Sequence, residues 1–115
     1  INYDKQDNIS DTTKYEDHFV AENRLIAISK SGRSMDSEDV QNFLNATKRG
    51  IDVQLFVRKN KDDKISKEFY YLGRVIATGN AKQFVMPNTD KTAVEIEWEL
   101  ETPVREDIYQ YIVNE

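Results

Sequence analysis

Arg24, Lys30 and Arg33 punctuate a segment that also carries Ser29, Ser31, Gly32 and Ser34. Serine and glycine let backbone amides come close to a phosphate, and arginine and lysine neutralise it. Ser29, Lys30, Ser31, Arg33 and Ser34 are therefore candidate DNA-contacting residues. A second set lies in LFVRKNKDDKISKEFYYLGRV, residues 55–75. There Arg58, Lys59, Lys61, Lys64 and Lys67 are diluted by Asp62, Asp63 and Glu68, and Arg58 and Lys59 are the candidates for phosphates. Phe56, Phe69, Tyr70, Tyr71 and Trp98 supply rings on which an extruded base could stack. Tyr70 and Tyr71 point to opposite faces of an extended segment, so one of them can present its ring and hydroxyl to a ligand. Each signal has a plainer reading. SKSGRS-like turns and charged loops are common on soluble proteins, and aromatic residues on strands mostly fill cores, Trp98 above all.

Catalytic chemistry finds little to stand on. His18 is the single histidine and there is no cysteine, so a multi-histidine metal site, a thiolate zinc site and a disulfide are all excluded. No nucleophile–histidine–acid set and no glycine-rich phosphate loop is present. Glu95, Glu97, Glu99 and Glu101 share one face of a strand, which reads as a solvated face rather than a cation site. No catalytic residue, metal or cofactor is expected, and the domain itself reads as a non-enzyme.

The chain has 115 residues, 38% of them hydrophobic and 10% aromatic, enough for one domain with a modest core. The absence of cysteine fits a reducing cytoplasm. The longest apolar runs are four or five residues, so no membrane span or signal segment is expected. A first residue of isoleucine points to a piece of a larger protein. The net charge of −5 hides a pattern: residues 24–34 carry +3 and residues 48–89 carry +5, against −4, −3 and −6 in the flanking stretches. A phosphate backbone meets such a local patch rather than the overall charge.

The elements that must position these residues follow from periodicity. Residues 1–12 read as a polar lead-in or linker, and residues 13–115 as the domain. A short helix is expected over residues 13–22, with Tyr15, Phe19 and Val20 as apolar points. Residues 24–31 read as a strand, with Leu25, Ala27 and Ser29 on one face. The clearest helix spans residues 37–49, capped by Asp36 or Ser37, with Val40, Phe43, Leu44 and Thr47 as its buried stripe and Gly50 as its left-handed stop. Val53, Leu55 and Val57 begin a hairpin whose second strand reaches Thr78, followed by a Gly79-Asn80 turn and a short strand over 83–86. Residues 92–101 form the most regular strand, with Val94, Ile96, Trp98 and Leu100 inward. After Pro103 a terminal helix docks through Ile108, Tyr111 and Ile112. The sum is a small α+β domain: a mostly antiparallel curled sheet or β-barrel with two or three peripheral helices.

The series LFVR, a variable polar loop, FYYLGRV and then VEIEWELETPV resembles the C-terminal domain of bacterial helicase–nuclease proteins, with the likeness running over residues 24–104. Those proteins join a phospholipase-D-like nuclease and a superfamily-two helicase to this domain, and include modification-dependent (type IV) restriction enzymes of the SauUSI type. The resemblance implies an SRA-like domain of the PUA-type barrels that recognises modified cytosine, within a parent that is an ATP-dependent endonuclease. Relatives carry an F-H-W-x-S-Q strand. Here Leu25-Ile26-Ala27-Ile28-Ser29-Lys30 keeps the serine but has Ala27 at the tryptophan position and Lys30 at the glutamine position.

The expectation is a monomeric, cytoplasmic DNA-recognition module that binds duplex DNA and flips a 5-methylcytosine or 5-hydroxymethylcytosine into a pocket walled by Tyr70 or Tyr71. Its other partners would be the helicase and nuclease domains of the parent chain, with no membrane involved. Flipping costs a few kcal/mol. A methyl group contributes only about 1 kcal/mol through burial, so discrimination would be roughly tenfold. Two rival readings stand beside it: an interdomain or protein–protein module of a helicase, and a barrel that binds nucleic acid without specificity.

Overall fold

The computed structural model describes residues 1, 3, 16–59 and 69–114. Five strands and two helices follow in the order β1 (His18–Ala21), β2 (Arg24–Ile28), α1 (Glu38–Leu44), β3 (Gln54–Val57), β4 (Tyr70–Val85), β5 (Thr92–Leu100) and α2 (Glu106–Val113). The strands form one antiparallel sheet in the order β1-β2-β5-β4-β3, curled into a half-barrel. The expected fold class is therefore what the chain adopts.

β5 is the central strand, and its composition explains why. Val94, Ile96, Trp98 and Leu100 are all buried on the concave face, while Glu99 stays exposed. Leu25 of β2 lies beside Trp98 and Val75 of β4 beside Leu100, and Leu55 and Val57 of β3 join the same cluster. Val40 of α1 and Ile112 of α2 close the core. Each fully buried aliphatic side chain contributes about 1.5–3 kcal/mol over its exposed state.

Four local expectations are corrected. Of the expected first helix the described part is residues 16–22, and within it His18–Ala21 is a strand. The chain reverses at Glu22-Asn23 so that Phe19 pairs with Leu25, and Phe19 is buried while Val20 is exposed, a period of two rather than 3.6. The helix expected over 37–49 ends at Leu44. Asn45 donates both its N–H, at 3.0 Å, and its side-chain amide, at 2.9 Å, to the Gln41 carbonyl, and the next N–H, that of Ala46, reaches back only to Phe43. Of its expected stripe only Val40 is fully buried, and Ala46 takes the inward place that Thr47 was assigned. Gly79-Asn80 is no hairpin turn but a bulge within the continuous β4. Ala77 pairs with Trp98 and Ala81 with Ile96, so extra residues loop out while both alanines keep the concave face.

Ile1 and Tyr3 are both tied to the end of β3. Tyr3 donates its N–H to the Arg58 carbonyl at 2.8 Å, and the Arg58 N–H reaches the Ile1 carbonyl at 2.7 Å. Ile1 and Tyr3, the described residues of the expected lead-in, both pack on the core. In α2, Tyr109 rather than Tyr111 turns inward. Its ring meets Phe19 edge-on at 5.7 Å, whereas Tyr111 is exposed.

Candidate functional site

The turn after β2 is built chiefly to hold its own shape. Ser29 continues the ladder: its N–H donates to the Val94 carbonyl at 2.8 Å, and its hydroxyl accepts the Val94 N–H at 2.9 Å. Gly32 donates its N–H to the Thr92 carbonyl, and Thr92 returns its hydroxyl to the Arg33 carbonyl, both at 2.7 Å. Arg33 itself is committed, with Nε 2.9 Å from Asp39 Oδ2. That hydrogen bond is the main reason the Asp39 carboxyl is held below the ordinary carboxylate range. Ser34 donates its N–H to Ser37 Oγ at 2.9 Å. Among the residues expected here to touch DNA, Lys30 and Ser31 are the ones whose side chains stand exposed.

The hairpin candidates divide in the same way. Arg58 stacks over the Phe69 ring, 4.7 Å from its centroid. Lys59 reaches the other way, donating to the Tyr111 carbonyl at 2.6 Å and to the Asn114 carbonyl, and lying 4.8 Å from the Tyr111 ring centre. An ammonium on the last carbonyls of α2 offsets the negative end of the helix dipole. Lys61, Lys64 and Lys67 lie outside the described residues.

Tyr70 and Tyr71 do take opposite faces. Tyr70 meets Tyr111 edge-on at 5.8 Å, and Tyr71 lies outside against Phe56 at 5.0 Å, its hydroxyl donated to Gln54 Oε1. Neither lines the cavity described next.

That cavity, about 390 Å3 and half-open, occupies the concave side of the curl between β2 and β3. Three rings bound it: Phe43 from α1, Phe56 from β3 and Trp98 from β5. Phe43 and Trp98 meet edge-on with centroids 5.6 Å apart. Polar groups sit on its margin. Asp17 uses one carboxylate oxygen on the Ile28 N–H at 2.7 Å, and Ser29 and Gln54 complete the set. Ala27 also lines it, so the residue with the least bulk on that stretch of β2 keeps the space clear.

Of the expected DNA-contacting set, the cavity wall takes only Ser29; Phe43, Asp17 and Gln54 were not singled out. Phe43 was legible only as one point of a helical stripe, and nothing in its spacing indicates that the stripe overlooks a void. Among the described residues no three His, Cys, Asp or Glu side chains are placed to hold a metal ion, and no helix is long and apolar enough to cross a membrane.

Residues 1–112 match the family described as Domain of unknown function (DUF3427). No curated protein matches the chain.

Proposed function

We propose that this chain, which belongs to the DUF3427 family, is a DNA-binding target-recognition domain. In this reading it takes a modified cytosine, 5-methylcytosine or 5-hydroxymethylcytosine, out of a duplex and holds it in the concave cavity. The setting is a type IV restriction enzyme in which an SRA-like, PUA-type domain serves a helicase and a nuclease; the chemistry belongs to those parts.

The observation that carries the reading is the aromatic-walled cavity of about 390 Å3, lined by Ala27 and Ile28 of β2 and by Ser29 just beyond it. Its volume, within the roughly 300–1,000 Å3 range of ligand pockets, is ample for one flipped base. Phe43, Phe56 and Trp98 offer apolar walls to the faces of a base. The second oxygen of Asp17 can accept from an exocyclic amine, and the Gln54 amide can donate to a ring carbonyl. Lys30, exposed and next in sequence to Ser29 of the cavity wall, supplies a cation for a phosphate. Arg33 contributes there only if Asp39 gives it up, and Lys59 only by leaving the end of α2, so both drop out of the direct phosphate ligands in this reading.

The test is a titration of the chain with matched duplexes, methylated and unmethylated at one cytosine, at two salt concentrations. The expected result is a modest preference, at most roughly tenfold, for the methylated duplex. Lys30→Ala should weaken both duplexes alike and lower the salt slope by about 1, the change that removing one phosphate ligand produces. Phe43→Ala should remove one aromatic wall of the cavity and abolish the preference while binding through phosphates persists. Equal, steeply salt-dependent affinity for both duplexes would sink the modified-base reading. No binding to either would leave the interdomain module.

A further inference from the structure

The walls of the concave cavity come from two strands that are not neighbours in the sheet. Ala27 and Ile28 stand on β2, Gln54, Leu55 and Phe56 on β3, and β5 and β4 lie between those strands. The gap between the walls is therefore set by the curl of the sheet and by what spans the opening. Tyr3 is hydrogen-bonded to both sides of it. The Ile1 nitrogen donates to the Phe56 carbonyl at 2.8 Å, and the Ile1 carbonyl accepts the Arg58 N–H at 2.7 Å. The Tyr3 N–H then reaches the Arg58 carbonyl at 2.8 Å, which completes the bonding order of a parallel strand on the outer edge of β3. From there the Tyr3 hydroxyl accepts the Phe19 N–H of β1 at 3.0 Å. Its ring lies 5.7 Å from that of Phe19, which is itself edge-on to Tyr109 of α2. Ile1 lines the cavity, and so does Asp17, next to the start of β1.

We propose that Tyr3 is a positioning residue for the cavity: by clasping the β1 edge to the β3 edge it sets the width of the gap, so that clasp and occupant stabilise one another. The occupant, a planar base, is that of the function proposed above, on which this role rests. A group lodged between the walls meets Ile1 and the β3 wall on one side, and Asp17 and the β2 wall on the other. It makes both sets of contacts only while the two sides keep that spacing, so it favours the clasped state by the difference. Linkage requires the converse: loosening the clasp weakens the occupant's binding by the factor through which the occupant tightens the clasp. Tyr3 itself does not line the cavity, so it acts through the walls it joins. Two amides report on the clasp directly, because the Phe19 N–H is held by the Tyr3 hydroxyl and the Arg58 N–H by the Ile1 carbonyl.

The experiment follows chemical shifts and amide exchange in the whole chain as free indole is added. Indole is a planar apolar probe, and a cavity of about 390 Å3 has room for it, since about 150 Å3 holds benzene. It should shift the amides of Ala27 and Ile96 on the cavity wall. It should also slow exchange at Phe19 and Arg58 about fivefold or more, the low end of usual couplings between sites. Tyr3→Phe, which keeps the ring and loses the acceptor, should bind indole more weakly by the same factor. Both chains are compared at a temperature where each is folded, so a general loss of stability does not move the affinity. The proposal is overturned if indole does not bind, if it binds without slowing exchange at Phe19 and Arg58, or if Tyr3→Phe binds it as tightly as the wild type. The methylated duplex separates the two proposals. Protection of both amides by indole, with no preference for the methylated duplex, supports the clasp and sinks the base reading. A methylated-duplex preference with neither amide protected by duplex or indole overturns the clasp and leaves the base reading standing.

Discussion

At the scale of single residues, much of the charge in this molecule is already engaged within the fold. Arg24 spans Glu97 and Glu99 at 3.2 Å each, Arg74 spans Asp52 and Glu101, and Arg105 grips Asp107. Glu97 shows the consequence most clearly. Hydrogen bonds from the Thr78 hydroxyl and the Asn80 amide, and then the Arg24 charge, hold its carboxyl below the ordinary range. Asp39 and Asp107 are lowered in the same sense by Arg33 and Arg105. A carboxyl with a depressed folded-state pKa adds stability above its unfolded value and surrenders it as pH falls through the folded one. The melting temperature should therefore fall once the pH drops below about 4, the ordinary carboxylate range. Glu97→Gln should flatten that acid limb, which thermal melts across pH will read. An acid limb as steep as the wild type's would mean that Glu97 does not contribute to it. All these groups are at least partly exposed, so the separate effects are small and salt will reduce them.

At the scale of elements, β5 was the easiest to read and β4 the hardest. Strict alternation over VEIEWEL leaves one buried face and one wet face, and no other local structure satisfies it. In β4, Gly79-Asn80 has the residue types of a hairpin turn, and local chemistry alone ends the strand there. The unbroken β5 alongside it decides otherwise, because pairing continues on both sides and the extra residues are extruded as a bulge. Gly79 sits at φ +102°, a region that side chains disfavour, although a Cβ there would meet no neighbour within 4 Å. Gly79→Ala should therefore cost about 1–3 kcal/mol through backbone strain alone. Denaturant titration should show a lower midpoint with an unchanged slope. A neutral result would show that the bulge can relax into another conformation. For the candidate site, the SKSGRS turn was legible as a turn, but its commitments to Thr92, Asp39 and Ser37 were not. The bond from Ser34 to Ser37 closes over 3 residues of chain, whereas that from Thr92 to Arg33 closes over 59.

At the scale of the whole molecule, the two sheet edges β1 and β3 are joined across the curl through Tyr3. Tyr3 donates its N–H to Arg58, and its hydroxyl accepts the Phe19 N–H at 3.0 Å while its ring lies 5.7 Å from the Phe19 ring. Burial pushes the Tyr3 phenol above its usual pKa, so it remains the neutral partner of that N–H at neutral pH. Tyr3→Phe keeps the ring packing and removes the acceptor, leaving the Phe19 N–H without it. The expected loss is about 1 kcal/mol in chemical denaturation, with faster amide exchange at Phe19. Exchange at Phe19 unchanged from wild type would show that water replaces the hydroxyl and that the edges do not depend on it.

By itself the sequence determined the class of structure. Alternation in residues 92–100, the hairpin pattern on either side of residue 60 and the amphipathic segment after Pro103 leave few ways to bury the apolar residues other than a curled antiparallel sheet with packed helices. It also determined the uneven charge, because charge is counted along the chain. Tertiary structure alone decided what those charges and rings can do. Periodicity identifies two faces of a strand but not which is concave, so Trp98 and Phe43 could not be placed around a common void, nor Phe56 at its rim. Which cation finds which partner depends on how the folded chain passes itself, so Arg33 and Lys59, which read as phosphate ligands, prove to be held by Asp39 at the start of α1 and by carbonyls at the end of α2.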